Sequence, residues 1–298
     1  MDALLNTEFR RQVFTVATPS GAGEIAAIAF GDSARPVDVI FVHANGFNAM
    51  TYRSVLAPLG ERLHVLAIDQ QGHGRSPQRV PSEGRRNWLL FRDDLVGLLD
   101  ALGGGPLLLS GHSMGGTASV MAAALRPERV KGLALFDPVI MPEDMGRRIA
   151  SGEAPSFSES PLAVGAAKRR SVFASREEAF SRYKGRGAFT TWPDEALADY
   201  LRDGFRDRPD GQVELSCAPD WETANFSSHY HDPWEPLRAI RAPVTILCAE
   251  QASTCSVTSA EPFQADNPKF QIETIPGTTH FLPIERPDLV RETILRMA

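Results

Sequence analysis

The stretch that most constrains the fold runs from Leu107 to Leu125. Three leucines lead into Ser110-Gly111-His112-Ser113-Met114-Gly115-Gly116, and the small helix-forming residues Thr117 to Leu125 follow at once. An apolar strand that turns directly into a helix around Gly-x-Ser-x-Gly is a nucleophile elbow, a turn tight enough to strain the serine backbone. Gly111 and Gly115 suit that crowding because a Cβ at either place would meet neighbouring chain. The serine hydroxyl then stands at a helix N-terminus, where backbone N–H groups favour developing negative charge. Ser113 is therefore the candidate nucleophile.

Around this elbow, strand and helix patterns alternate. Residues 12–16 and 24–30 read as a hairpin turning at Pro19-Ser20-Gly21. Residues 37–43 form a mostly apolar run, the mark of a buried strand, ending in the loop Ala44-Asn45-Gly46-Phe47-Asn48 and a short helix from Met50. A strand over 63–69 runs into Gly72-His73-Gly74-Arg75-Ser76-Pro77. Trp88, Phe91, Leu95, Leu98, Leu99 and Leu102 then recur at helical spacing up to Gly103-Gly104-Gly105. Beyond the elbow come a strand over 130–136, another over 244–249, a helical stretch near 260–265, a strand over 270–275 and a last helix from Pro287. This rhythm predicts an α/β fold, a mostly parallel sheet of about eight strands with helices on both faces.

Between residues 141 and 236 the rhythm breaks. No apolar strand run appears, prolines and glycines are frequent, and the clearest helical patterns cover 176–180 and 194–201. The expectation is an α/β core of residues 1–140 and 237–298 with a helical lid, 141–236, over the strand ends. Its aromatics Phe173, Phe180, Phe189, Trp192, Tyr200, Phe205, Trp221 and Phe226 are read mostly as lid core, a minority lining an apolar pocket above Ser113.

Composition excludes several classes of function. The chain has 298 residues, a net charge of -6 and a 43% apolar fraction, with Lys168-Arg169-Arg170 its longest basic run. That balance argues against nucleic acid, whose phosphates demand a basic patch. No apolar stretch approaches the ~20 residues of a membrane span, and Met1 to Glu8 lack the basic-then-apolar order of an export signal; the chain reads as cytoplasmic. Cys217, Cys248 and Cys255 lack metal spacing and read as buried or free thiols. His229-Tyr230-His231 is read as lid surface, not a metal pair.

Four segments together carry a family resemblance: His43-Ala44-Asn45-Gly46-Phe47, Asp69-Gln70-Gln71-Gly72-His73-Gly74-Arg75-Ser76, Gly111-His112-Ser113-Met114-Gly115-Gly116, and Gly277-Thr278-Thr279-His280-Phe281. In this order and at these distances the chain resembles the α/β-hydrolase fold superfamily, and within it the lidded ester and carbon–carbon bond hydrolases. Ala44 stands where relatives commonly have glycine, and Gln71 where they often have arginine.

The resemblance implies a base at His280, after the last sheet strand, in the chain order serine, acid, histidine. The acid is open between two carboxylates at strand ends. Relatives often carry it as Gly-x-x-Asp after the strand equivalent to 244–249, but this chain has Ala249-Glu250-Gln251-Ala252 there. Others carry it after the preceding strand, where Asp137-Pro138 stands; Asp137 is preferred, with Glu250 the alternative. The oxyanion donors implied are the backbone N–H groups of Met114 and Asn45, with Phe47 as alternative to Asn45. His43 and His112 are read as loop braces. The function implied is a serine hydrolase cleaving a carboxylic ester or related small acyl compound through an acyl-enzyme, with a small-molecule substrate and no metal or organic cofactor. The alternatives are carbon–carbon hydrolysis of diketones, or a weakly catalytic ligand-binding protein on the same fold.

Overall fold

A computed structural model of the chain describes residues 9–298; the expectation drawn from Met1 to Glu8 lies outside them. Eight strands form the main sheet: β1 (Arg10–Thr18), β2 (Gly21–Phe30), β3 (Val39–Val42), β4 (Val65–Ile68), β5 (Leu107–His112), β6 (Val130–Phe136), and, beyond a long insert, two more (Val244–Gln251 and Phe270–Thr279). The insert contributes three short strands, β7 (Val172–Phe173), β8 (Phe205–Asp207) and β9 (Val213–Leu215), so the last two sheet strands are β10 and β11. The order across the main sheet is β1-β2-β4-β3-β5-β6-β10-β11. Pairing is antiparallel where β2 meets β1 and β4, and parallel from β4 through β11.

The period of two along each strand sorts side chains into two cores. Phe41, Ala67, Leu108, Ala134 and Phe136 share one with Val290 and Ile294 of the C-terminal helix; Ile40, Val42, Leu66, Leu109 and Leu135 share the other with Leu95, Leu98, Leu99 and Val120. Both faces are thus covered, which is why β3 and β4 are apolar, and β5 buried, at every turn of the pleat rather than alternating.

The helices are α1 (Arg53–Leu56), α2 (Leu89–Leu102), α3 (Met114–Leu125), α4 (Glu143–Ala150), α5 (Pro161–Ala167), α6 (Arg176–Tyr183), α7 (Asp194–Gly204), α8 (Pro219–Ser227), α9 (Trp234–Ala239), α10 (Glu261–Gln264), α11 (Leu282–Glu285) and α12 (Pro287–Met297). Helix α2 is amphipathic, as its spacing predicts. Helix α3 is buried from Met114 to Ala123, so its small residues let it lie close to the sheet from all sides.

Two expectations are corrected. The insert is not wholly helical: β7, β9 and β8 form a three-stranded antiparallel sheet. Strands of two and three residues are too short to show a period. His231 is buried rather than on the surface, and with His229 packs against Trp88 at ring distances of 4.7 and 4.8 Å. Among the described residues no helix is long and apolar enough to cross a membrane.

Candidate active site

The C-terminal ends of parallel strands gather the loops of an α/β sheet on one edge, and here they bring together Ser113, Asp137 and His280. Ser113 follows β5 with φ 56° and ψ -124°, a left-handed backbone that a non-glycine residue holds only when its surroundings enforce it. Close packing is the enforcement. A Cβ on Gly111 would lie 2.7 Å from the Gly115 backbone, and one on Gly115 would strike the Val42 carbonyl and come within 2.6 Å of the His43 carbonyl. The elbow therefore presses directly on the end of β3.

His280 follows β11. Its Nε2 lies 3.0 Å from Ser113 Oγ, and its Nδ1 lies 2.6 Å from Asp137 Oδ2. Asp137, at the end of β6, is fully buried and also has a left-handed φ, 44°. Its carboxylate is received by β10 and the loop after it: Ala249 N–H donates to Oδ1 at 3.0 Å, Ser253 Oγ–H to the same oxygen, and Thr254 N–H to Oδ2 at 3.0 Å. Burial alone pushes this carboxyl up, but His280, Ser253 and Ala249 together hold it below the usual aspartate range. Glu250 stands near the end of β10, exposed, and accepts from Gly277 N–H at 2.9 Å; it is not the carboxylate behind His280. Ser253 and Thr254 escape sequence reading. The one signal is that hydroxyls occupy a loop where relatives often carry the acid.

His112 braces the imidazole from behind. Its Nε2–H donates to the His280 carbonyl at 2.7 Å and its Nδ1 accepts from Tyr52 Oη–H at 2.7 Å. Burial and the neighbouring His280 lower its pKa to about 3, so the ring is neutral and serves as a strut. His43 does the same for the loop after β3: Nδ1–H donates to the Ala44 carbonyl and Nε2 accepts from Gln70 N–H at 2.9 Å. Burial lowers its pKa to about 4.

The N–H of Met114 opens α3, where the first turn has no intrahelical acceptor. Among the described residues neither it nor the N–H of Asn45 donates to any protein acceptor. The N–H of Phe47 donates to the Ala44 carbonyl at 3.2 Å, so this alternative donor is occupied in the turn. The Asn45 side chain faces away into a buried polar group: its Oδ1 accepts from Asn225 Nδ2–H at 2.7 Å, with His73 Nε2 at 3.2 Å, and its Nδ2–H donates to the Glu222 carbonyl. Above the imidazole, Phe47, Trp192 and Phe281 pack ring to ring at 5.1 to 6.1 Å. Ser113 is left 6% exposed. Of the insert's aromatics, Trp192 and Tyr200 reach Phe47; Phe173, Phe189 and Phe205 pack with Tyr183 inside the insert.

Chemically, a hydroxyl, an imidazole and a buried carboxylate in line can transfer an acyl group. Comparison with known proteins agrees at the level of family. A sequence model of the Alpha/beta hydrolase family matches residues 39–293. The chain is similar to 2-(acetamidomethylene)succinate hydrolase of Mesorhizobium japonicum, with 25% identity over 260 residues, 86% of each chain. It is also similar to an esterase of Mycobacterium tuberculosis, with 38% identity over 116 residues, 39% of this chain and 37% of that one. The crystal structure of E-2-(acetamidomethylene)succinate hydrolase superposes with a TM-score of 0.72 at 22% identity, covering 97% of this chain and 99% of that one. With the sheet order, the elbow and these matches in agreement, the chain is a hydrolase and belongs to the alpha/beta hydrolase family.

Proposed function

We propose that the chain is a serine hydrolase cleaving a carboxylic ester or related small acyl compound through an acyl-enzyme. The observation that carries this reading is the unbroken line from Ser113 Oγ to His280 Nε2, 3.0 Å, and from His280 Nδ1 to Asp137 Oδ2, 2.6 Å. A free serine hydroxyl is a poor nucleophile, and this line supplies the base that activates it. Ser113 Oγ attacks the carbonyl carbon as its proton passes to His280 Nε2. The negative charge that forms on the carbonyl oxygen is met by the N–H groups of Met114 and Asn45, and Asp137 stabilises the imidazolium. His280 then gives its proton to the departing alkoxide. Water, deprotonated by the same imidazole, releases the acid and restores Ser113. The insert, residues 141–236, acts as a lid whose Trp192, with Phe47 and Phe281, screens the reacting carbonyl from bulk solvent while admitting the hydrolytic water.

The test is hydrolysis of short and medium nitrophenyl esters, set beside ring-cleavage diketones, with fluorophosphonate labelling as the check on serine activation. Turnover of esters, labelling of Ser113, and loss of both in Ser113→Ala by about 10⁴-fold or more in rate are expected. Turnover of diketones with inertness to esters would assign carbon–carbon hydrolysis instead. A wild-type chain that neither turns over nor labels would leave a ligand-binding role.

A further inference from the structure

The insert's helix α8 grips the loop after β3 at three points. Asn225 Nδ2–H donates to Asn45 Oδ1 at 2.7 Å, Asn45 Nδ2–H donates to the Glu222 carbonyl at 3.2 Å, and a Cβ on Gly46 would come within 2.5 Å of Glu222 Oε1. Asn225 is fully buried, although a carboxamide in a helix facing a protein core is costly unless every polar atom is used. Here its Oδ1 is also engaged, accepting from Arg85 Nη1–H. Arg85 packs over the Trp221 ring at 4.1 Å and, among the described residues, has no carboxylate partner. A guanidinium without a counter-charge polarises the carboxamide it donates to and strengthens the outgoing Nδ2–H bond. The chain of contacts Arg85–Asn225–Asn45 ends on a residue whose own N–H has no protein acceptor. The next residue, Gly46, has φ 77° and the most permissive backbone in the loop. The Asn45 N–H shares a peptide plane with the Ala44 carbonyl, which accepts from His43 Nδ1–H and Phe47 N–H within the loop. The pinned Asn45 side chain holds the same residue from the insert's side.

We infer that Asn225 is a positioning residue for the oxyanion donor of Asn45: α8, docked from the insert, joins the donors on the Ala44 carbonyl in fixing the direction of that N–H, and the oxyanion site is complete only with α8 in place. This rests on the ester-hydrolase reading above. A donor displaced by a fraction of an ångström loses most of its effect on the transition state while leaving ground-state binding nearly alone. The role therefore differs in its kinetics from one in stability or pocket shape.

The experiment uses the full chain with a nitrophenyl ester it hydrolyses and an alkyl trifluoromethyl ketone, which forms a hemiketal with Ser113 and places an oxyanion where the ester's would be. In Asn225→Ala and Asn225→Asp, kcat is expected to fall roughly 10- to 100-fold with KM within about twofold, and Ki for the ketone to rise by the same factor as kcat falls. Arg85→Met, at a partly exposed position, frees the Asn225 carboxamide and is expected to lower kcat severalfold in the same pattern. Unchanged kcat and Ki in any folded variant of the three, or a raised KM at constant kcat, overturns the inference, and Arg85→Met decides it even where the Asn225 variants do not fold. A wild-type chain inert to both ester and ketone overturns the underlying reading as well, and is told apart by that control alone.

Discussion

At Asp137 the chain leaves β6 through φ 44°, and the turn sends the carboxylate toward His280 instead of along the sheet. With Oδ2 on the imidazole and three further donors around it, the group can only act as an acceptor; in the proposed mechanism it holds the His280 tautomer whose bare Nε2 faces Ser113. Asparagine at this position keeps the shape but can present an N–H to Nδ1, which favours the wrong tautomer. Asp137→Asn is therefore expected to lower kcat by about 10⁴-fold, whereas Glu250→Gln stays within about twofold because Glu250 only receives the Gly277 N–H in solvent. Steady-state ester hydrolysis by the two variants checks this, and the reverse pattern would refute it. Ser113 was legible in the sequence because a tight turn restricts its neighbours to glycine and so leaves a motif, and His280 through its place after the last sheet strand in the family resemblance. Asp137 was legible only as one of two strand-end carboxylates. The Ser253–Thr254 clamp was not, since a hydroxyl or an N–H aimed at a carboxylate imposes no spacing on the chain.

Among the elements, α7 shows how the insert is held to the core. Arg53, in α1, donates from Nε to Asp199 Oδ1 at 2.7 Å and from Nη2 to Glu195 Oε1 at 3.0 Å. Arg11 and Arg75 converge on Asp203 at the end of the same helix, at 2.7 and 3.1 Å. Asn48 adds a hydrogen bond to the Tyr200 carbonyl at 3.0 Å. The Arg53–Asp199 pair is the most deeply buried of these, and burial raises the Asp199 carboxyl to about 6 even beside the guanidinium. Removing one partner of such a pair leaves a desolvated charge, with Asp199 Oδ2 already lacking a partner. Arg53→Met is expected to cost about 3–5 kcal/mol in urea unfolding at pH 8, and Arg53→Met with Asp199→Leu to recover most of it. A double variant no more stable than the single one would show that the loss comes from packing rather than from the stranded carboxylate. The main sheet and α2 were readable from periods sustained over many residues. The helix α7 was readable from its own pattern over 194–201, but the insert's short strands were not, because they draw their stability from contacts with distant segments rather than from their own patterns.

Over the whole molecule, five of the seven histidines have depressed pKa values, four of them buried and His229 partly so. Burial lowers His43 and His229 to about 4 and His112 and His231 to about 3, and lowers His73 well below its ordinary value. In the unfolded chain these rings take up protons near pH 6.5, whereas in the folded protein they stay neutral until well below pH 5. The unfolded state therefore binds more protons between these limits, and stability is present in full above pH 6.5 and lost as the pH falls through that window. Buried carboxyls oppose the trend. Desolvation raises Asp69 to about 7 and Asp199 to about 6, and raises Asp94, so these groups keep protons in the folded state and favour it on acidification. Five groups against three leaves a net loss, and Tm is expected to fall by about 5–10 °C between pH 6.5 and 5, before ordinary carboxylates titrate. Calorimetry across that range measures the slope, and a flat or rising Tm would contradict the assignment. His231→Phe isolates one contributor: phenylalanine preserves the stacking on Trp88 and places no unpartnered Nδ1 in the interior, so the fall in Tm should be shallower in the variant than in the parent.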